Sequence, residues 1–182
     1  MKKMLTLSLL TGLLVSLSFT QFITGTKSVS SIFSYSSAKA NSDADAITET
    51  TINPTGSYFV IDNVAVDVGI EMVSTKMGST DGDKSTSIGF GGAYYYPLET
   101  GTVYGGGALL ITSVTPADAD DAVKSNFIQI KAGYLYGLTE NWYFDIGLKY
   151  NMGMGKVKSG STEIGDNEVT GMNFGVGIAT FF

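Results

Sequence analysis

Apolar residues occupy every second position over long stretches of this sequence. The clearest stretch starts at residue 142, where the alternate positions are Trp142, Phe144, Ile146, Leu148, Tyr150, Met152 and Met154. The positions between them hold smaller or more polar residues: Tyr143, Asp145, Gly147, Lys149, Asn151 and Gly153. Similar runs begin at residues 64, 128 and 172. Successive side chains of a strand point to opposite faces, so the pattern predicts strands with one apolar face and one small, polar face.

Eight such strands are predicted, covering residues 24–37, 46–59, 64–77, 85–97, 102–114, 126–137, 142–156 and 169–182. The least regular are the second, which Pro54 interrupts, and the fifth, in which residues 104–107 show no clear facing. Because proline lacks the donor for a sheet ladder, Pro54 indicates a bulge or a non-bonded position.

The character of the two faces predicts how the strands close. A face rich in glycine with isolated charges suits the interior of a narrow barrel, and an almost unbroken apolar face suits lipid. Strands of about 10 residues or more match the tilted span of a bilayer. We therefore predict an all-β fold, a closed eight-stranded antiparallel up-and-down transmembrane β-barrel over residues 21–182. The alternative is a soluble ligand-binding β-barrel, whose apolar face would line a cavity.

Short and long connections alternate between the predicted strands, as in outer-membrane barrels with short periplasmic turns and longer outer loops. The short ones cover residues 60–63, 97–101 and 137–141, and the longer, polar ones cover 38–45, 78–84, 115–124 and 156–168. Aromatic residues cluster beside the short connections. They predict an interfacial girdle at the periplasmic end, made of Tyr58, Phe59, Tyr94, Tyr96, Tyr134, Tyr136, Trp142 and Phe144.

The N-terminus has the order of a secretory signal peptide, which we place at residues 1–20. Lys2 and Lys3 precede an apolar stretch over residues 4–19. That stretch is shorter than the roughly 20 apolar residues that span a bilayer as a helix, so we expect cleavage within residues 18–24. The alternative, a cut after Ala40, would remove a predicted strand.

Composition removes most catalytic and metal chemistry. The 182-residue chain contains no His, Cys or Arg, and its formal charge is −6. Neither a thiolate nor a histidine metal site is available, and the acidic balance disfavours nucleic acid as a partner. We expect no enzyme activity, no catalytic residue, no cofactor and no metal site. Lipid-modifying barrels of this size exist, but those designs rely on a His, which this chain lacks.

Isolated charges lie on the predicted inner face and others lie in the long connections. The inner set is Asp67, Glu71, Lys131, Asp145 and Lys149, which we expect to form ion pairs that close the lumen. A narrow ion or small-solute pore is the alternative role. The long connections carry Asp43, Asp45, Asp81, Asp83, Asp118, Asp120, Asp121, Glu163, Asp166 and Glu168, which we interpret as solvated acidic loops. An unidentified extracellular ligand at these loops is a candidate partner.

One segment of the sequence repeats without a gap. Residues 58–70 align on residues 136–148, matching Tyr58 with Tyr136, an acid-Asn turn, Asp67 with Asp145, and a Gly. The offset of 78 residues corresponds to four predicted strands. A shared requirement of both hairpins for the same residue types, or a duplication, explains the match better than a repeated binding site.

These residues also carry a family resemblance. The runs at residues 25–29, 52–66 and 136–147 resemble the outer-membrane protein β-barrel domain family, the small opacity-protein-like barrels of Gram-negative bacteria. The C-terminus resembles the signal read by the barrel-assembly machinery, with Gly177 and Phe182 in place and Thr180 departing from the usual aromatic or large apolar residue. The resemblance implies eight antiparallel strands and outer-membrane residence, and the family has no common catalytic activity. We expect a structural or surface-interaction role, with outer-membrane lipid and the barrel-assembly machinery as partners.

Overall fold

A computed structural model describes residues 22–38, 45–117 and 122–182. Within these ranges the chain forms nine strands: β1 (Lys27–Ala38), β2 (Ile47–Ile61), β3 (Val64–Met77), β4 (Thr80–Leu98), β5 (Gly101–Thr115), β6 (Val123–Gly137), β7 (Trp142–Ser159), β8 (Thr162–Asp166) and β9 (Thr170–Phe181). The predicted signal peptide, residues 1–20, lies outside the described residues, as do Asp43, Asp118, Asp120 and Asp121. The described ranges contain no helix with the length and apolar character needed to cross a bilayer.

The strands form a closed antiparallel ring. Each of β1 to β6 pairs with the next, β6 pairs with β7, β7 pairs with β9, and β9 returns to β1. The eight long strands make this ring, and the short β8 pairs with β7 beyond it. The prediction of an all-β, eight-stranded up-and-down barrel is therefore confirmed.

The seam between β1 and β9 is the shortest ladder in the ring. Its pairs run only from Ser28 opposite Phe181 to Phe33 opposite Val176. The neighbouring ladder of β1 with β2 continues to Ala38, and that of β9 with β7 continues to Thr170. Past Phe33 the two seam strands are thus paired on one side only.

Two predicted loops are largely strand. Only residues 78 and 79 of the segment 78–84 form a turn, because β4 begins at Thr80 and pairs with β3. Similarly, β7 continues to Ser159 and forms a hairpin with β8 inside the predicted loop 156–168. Asp81, Asp83, Glu163 and Asp166 therefore lie on strands, not in loops. Strands continue to pair beyond the membrane although their sequence there is polar. The change from apolar to polar residues therefore predicted where the apolar outer face ends, but not where the strands end.

The two faces of the ring have the predicted chemistry. Alternate residues of β3 such as Val66, Val68 and Ile70 are exposed on the outside, whereas Asp67 and Glu71 are buried inside. The apolar face thus points outward all round the barrel. A soluble barrel with an apolar cavity, the alternative considered from the sequence, is wrong for this reason.

Pro54 occupies a non-bonded position without a bulge. The β2–β3 register is the same on both sides of it, from Ile52 opposite Met72 to Thr55 opposite Gly69, and the ladder lapses between these pairs. The Asn53 side chain donates a hydrogen bond of 3.0 Å to the carbonyl of Ile70 in this gap. A side-chain amide therefore satisfies an acceptor next to the residue that has no backbone donor.

Candidate functional site

The barrel interior brings together the five charged residues predicted to lie there. Lys131 on β6 forms an ion pair with Asp67 on β3, and Lys149 on β7 pairs with Glu71 on β3 at 3.1 Å. Lys149 also donates to the side-chain oxygen of Asn53. Both lysines thus reach across the barrel from one wall to the opposite one, which the sequence pattern could not specify.

The fifth charge, Asp145, has a different partner. The hydroxyl of Tyr104 on β5 donates a hydrogen bond of 2.9 Å to Asp145 Oδ1 on β7. The intervening strand β6 presents Gly133 at this level, and a Cβ there would lie 2.6 Å from Tyr104 Cε1. The tyrosine ring therefore lies across β6, and only glycine leaves room for it.

Neutral polar pairs fill the interior toward the end with the longer connections, the loop end. Gln129 donates to Asn151 at 2.9 Å, and the hydroxyls of Ser87 and Thr112 are 2.8 Å apart. Buried polar groups that are paired in this way rigidify an interior. The alternation of the sequence does not distinguish these residues, because amide and hydroxyl side chains on an inner face have no characteristic spacing.

At the same end, Asn167 crosses β7 in the same manner that Tyr104 crosses β6. Its side chain donates a hydrogen bond of 2.6 Å to the carbonyl of Asn126 on β6. Gly153 of β7 lies beneath it, and a Cβ there would be 2.6 Å from Asn167 Cγ. The segment between β8 and β9 is thereby held against the barrel mouth.

An aromatic cluster fills the opposite end, the turn end, where the connections are short. Phe22 is 1% exposed and stacks on Phe59 with ring centroids 5.1 Å apart. Phe181 lies 4.6 Å from Phe22, and Tyr95 and Tyr143 complete the cluster. Together these five rings, the aromatic plug, close the interior at the turn end with apolar surface.

Phe59 corrects the predicted girdle. It was predicted to lie at the membrane interface beside Tyr58, but its side chain is 0% exposed and faces inward. Consecutive residues of a strand point to opposite faces, so Tyr58 and Phe59 cannot both contact lipid. The other predicted girdle aromatics that the structure leaves exposed on the outside are Tyr58, Tyr94, Tyr96, Tyr136, Trp142 and Phe144. Tyr134 is half-buried, and its hydroxyl lies 3.0 Å from that of Thr100.

The two residues of the predicted assembly signal lie on β9 and directly after it. Gly177 pairs with Ile32 across the seam. The exposed Phe182 exchanges backbone hydrogen bonds of 2.8 and 2.9 Å with Lys27 at the start of β1.

The turn between β2 and β3 anchors the segment that leads into β1. Both the backbone amide and the hydroxyl of Thr24 donate to Asp62 Oδ1 at 2.9 Å. The backbone bond chiefly, and the hydroxyl bond in addition, hold the pKa of Asp62 below its usual value of 3.8. The amide of Asn63 donates to the Phe22 carbonyl at 2.7 Å, so the turn also positions the plug.

The sequence repeat has a structural basis. Asn63 and Asn141 occupy equivalent turns, and their carbonyls accept hydrogen bonds from the amides of Tyr95 at 2.8 Å and Phe181 at 3.0 Å. Each asparagine thus fixes one aromatic residue of the plug. Asp67 and Asp145, the repeated acids, both lie in the interior.

The remaining space inside the barrel is small. A cavity of about 60 Å³ lies among the buried charges, lined by Asp67, Glu71, Lys131, Asp145 and Lys149 together with glycines and hydroxyl residues. A buried water needs at least about 10–15 Å³ of such space. The cavity therefore has room for a few water molecules or a small ion, and not for an organic ligand.

Solved structures with the same architecture identify the fold. No protein-family model matches the sequence, and no curated protein sequence does. Neisserial surface protein A matches with a TM-score of 0.59 and 23% identity, over 86% of this chain and 96% of that one. The fold is that of the small outer-membrane barrels.

Two further structures, both from Pseudomonas aeruginosa, agree. The N-terminal β-barrel domain of OprF has a TM-score of 0.57 and 16% identity, over 87% of this chain and 98% of that one. The outer membrane protein OprG has a TM-score of 0.57 and 16% identity, covering 91% of this chain and 99% of that one. At the level of the fold, these likenesses confirm the resemblance to opacity-protein-like barrels.

Proposed function

We propose that this chain is an integral outer-membrane protein of a Gram-negative envelope with a structural or surface-interaction role. The observation that carries the proposal is the filled interior. The aromatic plug occupies the turn end, and the ion pairs of Asp67 with Lys131 and Glu71 with Lys149 occupy the middle. A barrel filled in this way serves as a rigid membrane anchor for what lies at its loop end.

The outer surface supports residence in lipid. Exposed Val, Ile, Leu, Met and Phe side chains cover the outer face of the long strands. A soluble monomer rarely exposes a continuous apolar surface of more than a few hundred Å², whereas a membrane barrel requires an apolar band around its middle. Outer-membrane lipid is therefore the first partner in this proposal.

The loop end supplies the surface for an extracellular partner. Lys76 pairs with Asp81, Lys156 with Asp166, and Lys158 with Glu163, all on strands that continue past the apolar belt. These exposed ion pairs are each worth only about 0–1 kcal/mol, so they contribute little to stability. Their charges remain available to a ligand in solution.

Single cysteine variants test the orientation, because the natural chain has no cysteine. Ser161→Cys lies in the exposed β7–β8 turn, and Glu140→Cys is the matched control in an exposed turn at the opposite end. We expect a membrane-impermeant maleimide to label Ser161→Cys on intact cells and Glu140→Cys only after permeabilisation. Equal labelling of both, or the reverse order, would contradict the proposed topology.

A further inference from the structure

The charges inside the barrel do not balance. The central cavity is lined by three carboxylates, Asp67, Glu71 and Asp145, but by two lysines, Lys131 and Lys149. Each lysine is committed to one carboxylate, and Asp145 is held by the neutral hydroxyl of Tyr104. With all five groups ionised, the interior carries one excess negative charge, which is unfavourable away from bulk water.

One carboxylate oxygen, Oδ1 of Asp67, is a candidate ligand for a compensating positive charge. Asp67 is 6% exposed, and its Oδ2 is engaged by Lys131. Its Oδ1 is buried and has no hydrogen-bond partner among the described residues. Buried acceptors in native proteins are almost always paired with protein or with ordered water, so this oxygen is suited to a ligand in the cavity.

The surroundings of this oxygen offer further oxygen ligands and space. Ser57 lies opposite Asp67 on β2, and Gly91 lies opposite it on β4. Ser57 and Tyr95 both line the cavity and contribute hydroxyl groups to it. Asp67 and Gly91 line the same cavity as Ser57 and Tyr95.

We propose that the interior binds one monovalent cation of the size of Na⁺, held by Asp67 Oδ1, with the hydroxyls of Ser57 and Tyr95 and water as its other ligands. One positive charge neutralises the excess charge of the interior. A divalent ion is the wrong class, because such ions use several carboxylates, and no cluster of three suitable residues occurs in the described ranges. This inference is independent of the proposed surface role.

The test uses the full mature protein, folded in a non-ionic detergent at constant pH and ionic strength. Na⁺ is replaced stepwise by choline, which is too large for the cavity. We expect the urea concentration at the midpoint of unfolding to rise with the Na⁺ concentration until the rise saturates. We also expect the ²³Na resonance to broaden in the presence of folded protein. A midpoint that is the same in sodium and choline salts would overturn the proposal and leave a water-filled cavity.

Two variants locate the site. Asp67→Asn combined with Lys131→Gln removes the proposed ligand while keeping the same excess charge, and we expect it to abolish the saturable sodium effect. Asp145→Asn keeps Asp67 but neutralises the interior, and we expect the half-saturating Na⁺ concentration to rise about tenfold or more. Because Asp145→Asn leaves both ion pairs in place, it keeps the test valid if the double variant does not fold.

The matched control is Asp62→Asn, which removes a negative charge from a turn outside the barrel. Its sodium dependence is expected to equal that of the natural protein. A sodium effect that persists in the double variant would overturn the assignment to Asp67. Stabilisation by acid in choline salt, with no sodium effect, would show that a proton neutralises the interior and would equally overturn it.

Discussion

At the scale of single residues, glycine sets what the interior can hold. The hydroxyl of Tyr104 reaches Asp145 because its ring passes over Gly133, and the side chain of Asn167 reaches the carbonyl of Asn126 because it passes over Gly153. Each glycine therefore lets a side chain pass over one strand and bond to a residue of the strand beyond it or across it. The glycine-rich inner face was predicted from the sequence, but these crossings join residues far apart in the sequence and leave no periodic signal.

Gly133→Ala tests one crossing directly. The new methyl group would overlap the Tyr104 ring and displace it from Asp145, so we expect a loss of about 2–4 kcal/mol in unfolding free energy. Gly56→Ala is the control, since a Cβ there has no neighbour within 4 Å. Urea unfolding followed by the fluorescence of Trp142, the one tryptophan of the chain, measures both. Equal unfolding free energies of Gly133→Ala and Gly56→Ala would contradict the close contact between Gly133 and the Tyr104 ring.

The Asp62 turn predicts an acid-dependent contribution to stability. The pKa of Asp62 is lowered in the folded state, so its hydrogen bonds to Thr24 stabilise the fold above the usual value of 3.8. That contribution is lost as the pH falls through the lowered folded value. Unfolding midpoints of the natural protein and Asp62→Asn, measured from neutral pH to about 2, should differ at neutral pH and converge in acid. A constant difference would contradict this account.

At the scale of elements, alternation was a better guide than hydropathy alone. The facing of β3, β6, β7 and β9 followed from the period of two, because charges and large apolar residues occupy opposite faces there. The aromatic plug was not predicted because Phe59, Tyr143 and Phe181 are each next to an aromatic residue that points outward. Inward and outward positions near the turns therefore do not differ in polarity. Phe22 was not predicted to belong to the plug because it precedes the first strand.

The β7–β8 hairpin should be dispensable for the ring. β8 pairs only with β7, and its pairs lie beyond the β7–β9 ladder. Residues 157–165 contribute only the last two pairs of the β6–β7 ladder, Lys158 with Lys124 and Ser159 with Val123, so replacing them by a short turn is expected to leave the barrel folded. The measurement is the heat-modifiable mobility of the protein on a detergent gel. Failure to fold would show that the hairpin helps to form the ring and does not merely extend it.

At the scale of the whole molecule, a filled interior predicts the absence of ion flow. The plug and the ion pairs leave a cavity of about 60 Å³, which is not a continuous aqueous path through a barrel of this size. We expect no steady conductance from folded protein in planar bilayers. Sustained single-channel steps in a preparation shown to be folded would support the pore alternative instead.

The plug also bears on processing of the chain. Phe22 contributes a buried ring to the cluster, so we expect Phe22→Ala to cost about 3–5 kcal/mol. Ile23→Ala, at an exposed position, is the control. The mature protein should accordingly retain Phe22, which intact mass measurement on protein from membranes would establish. A mature chain that starts after Ala40 would contradict the proposed cleavage, because it would lack β1.

The short seam between β1 and β9 has a consequence for how the ring comes apart. Adjacent strands unzip from the ladder that has the fewest pairs, and the pairs from Ser28 to Phe33 are the fewest in the ring. Native-state hydrogen exchange reports such partial openings. The backbone amides of β1 and β9 should therefore exchange faster than those of β4 and β5. The ring would then open first between the two strands that are farthest apart in the sequence.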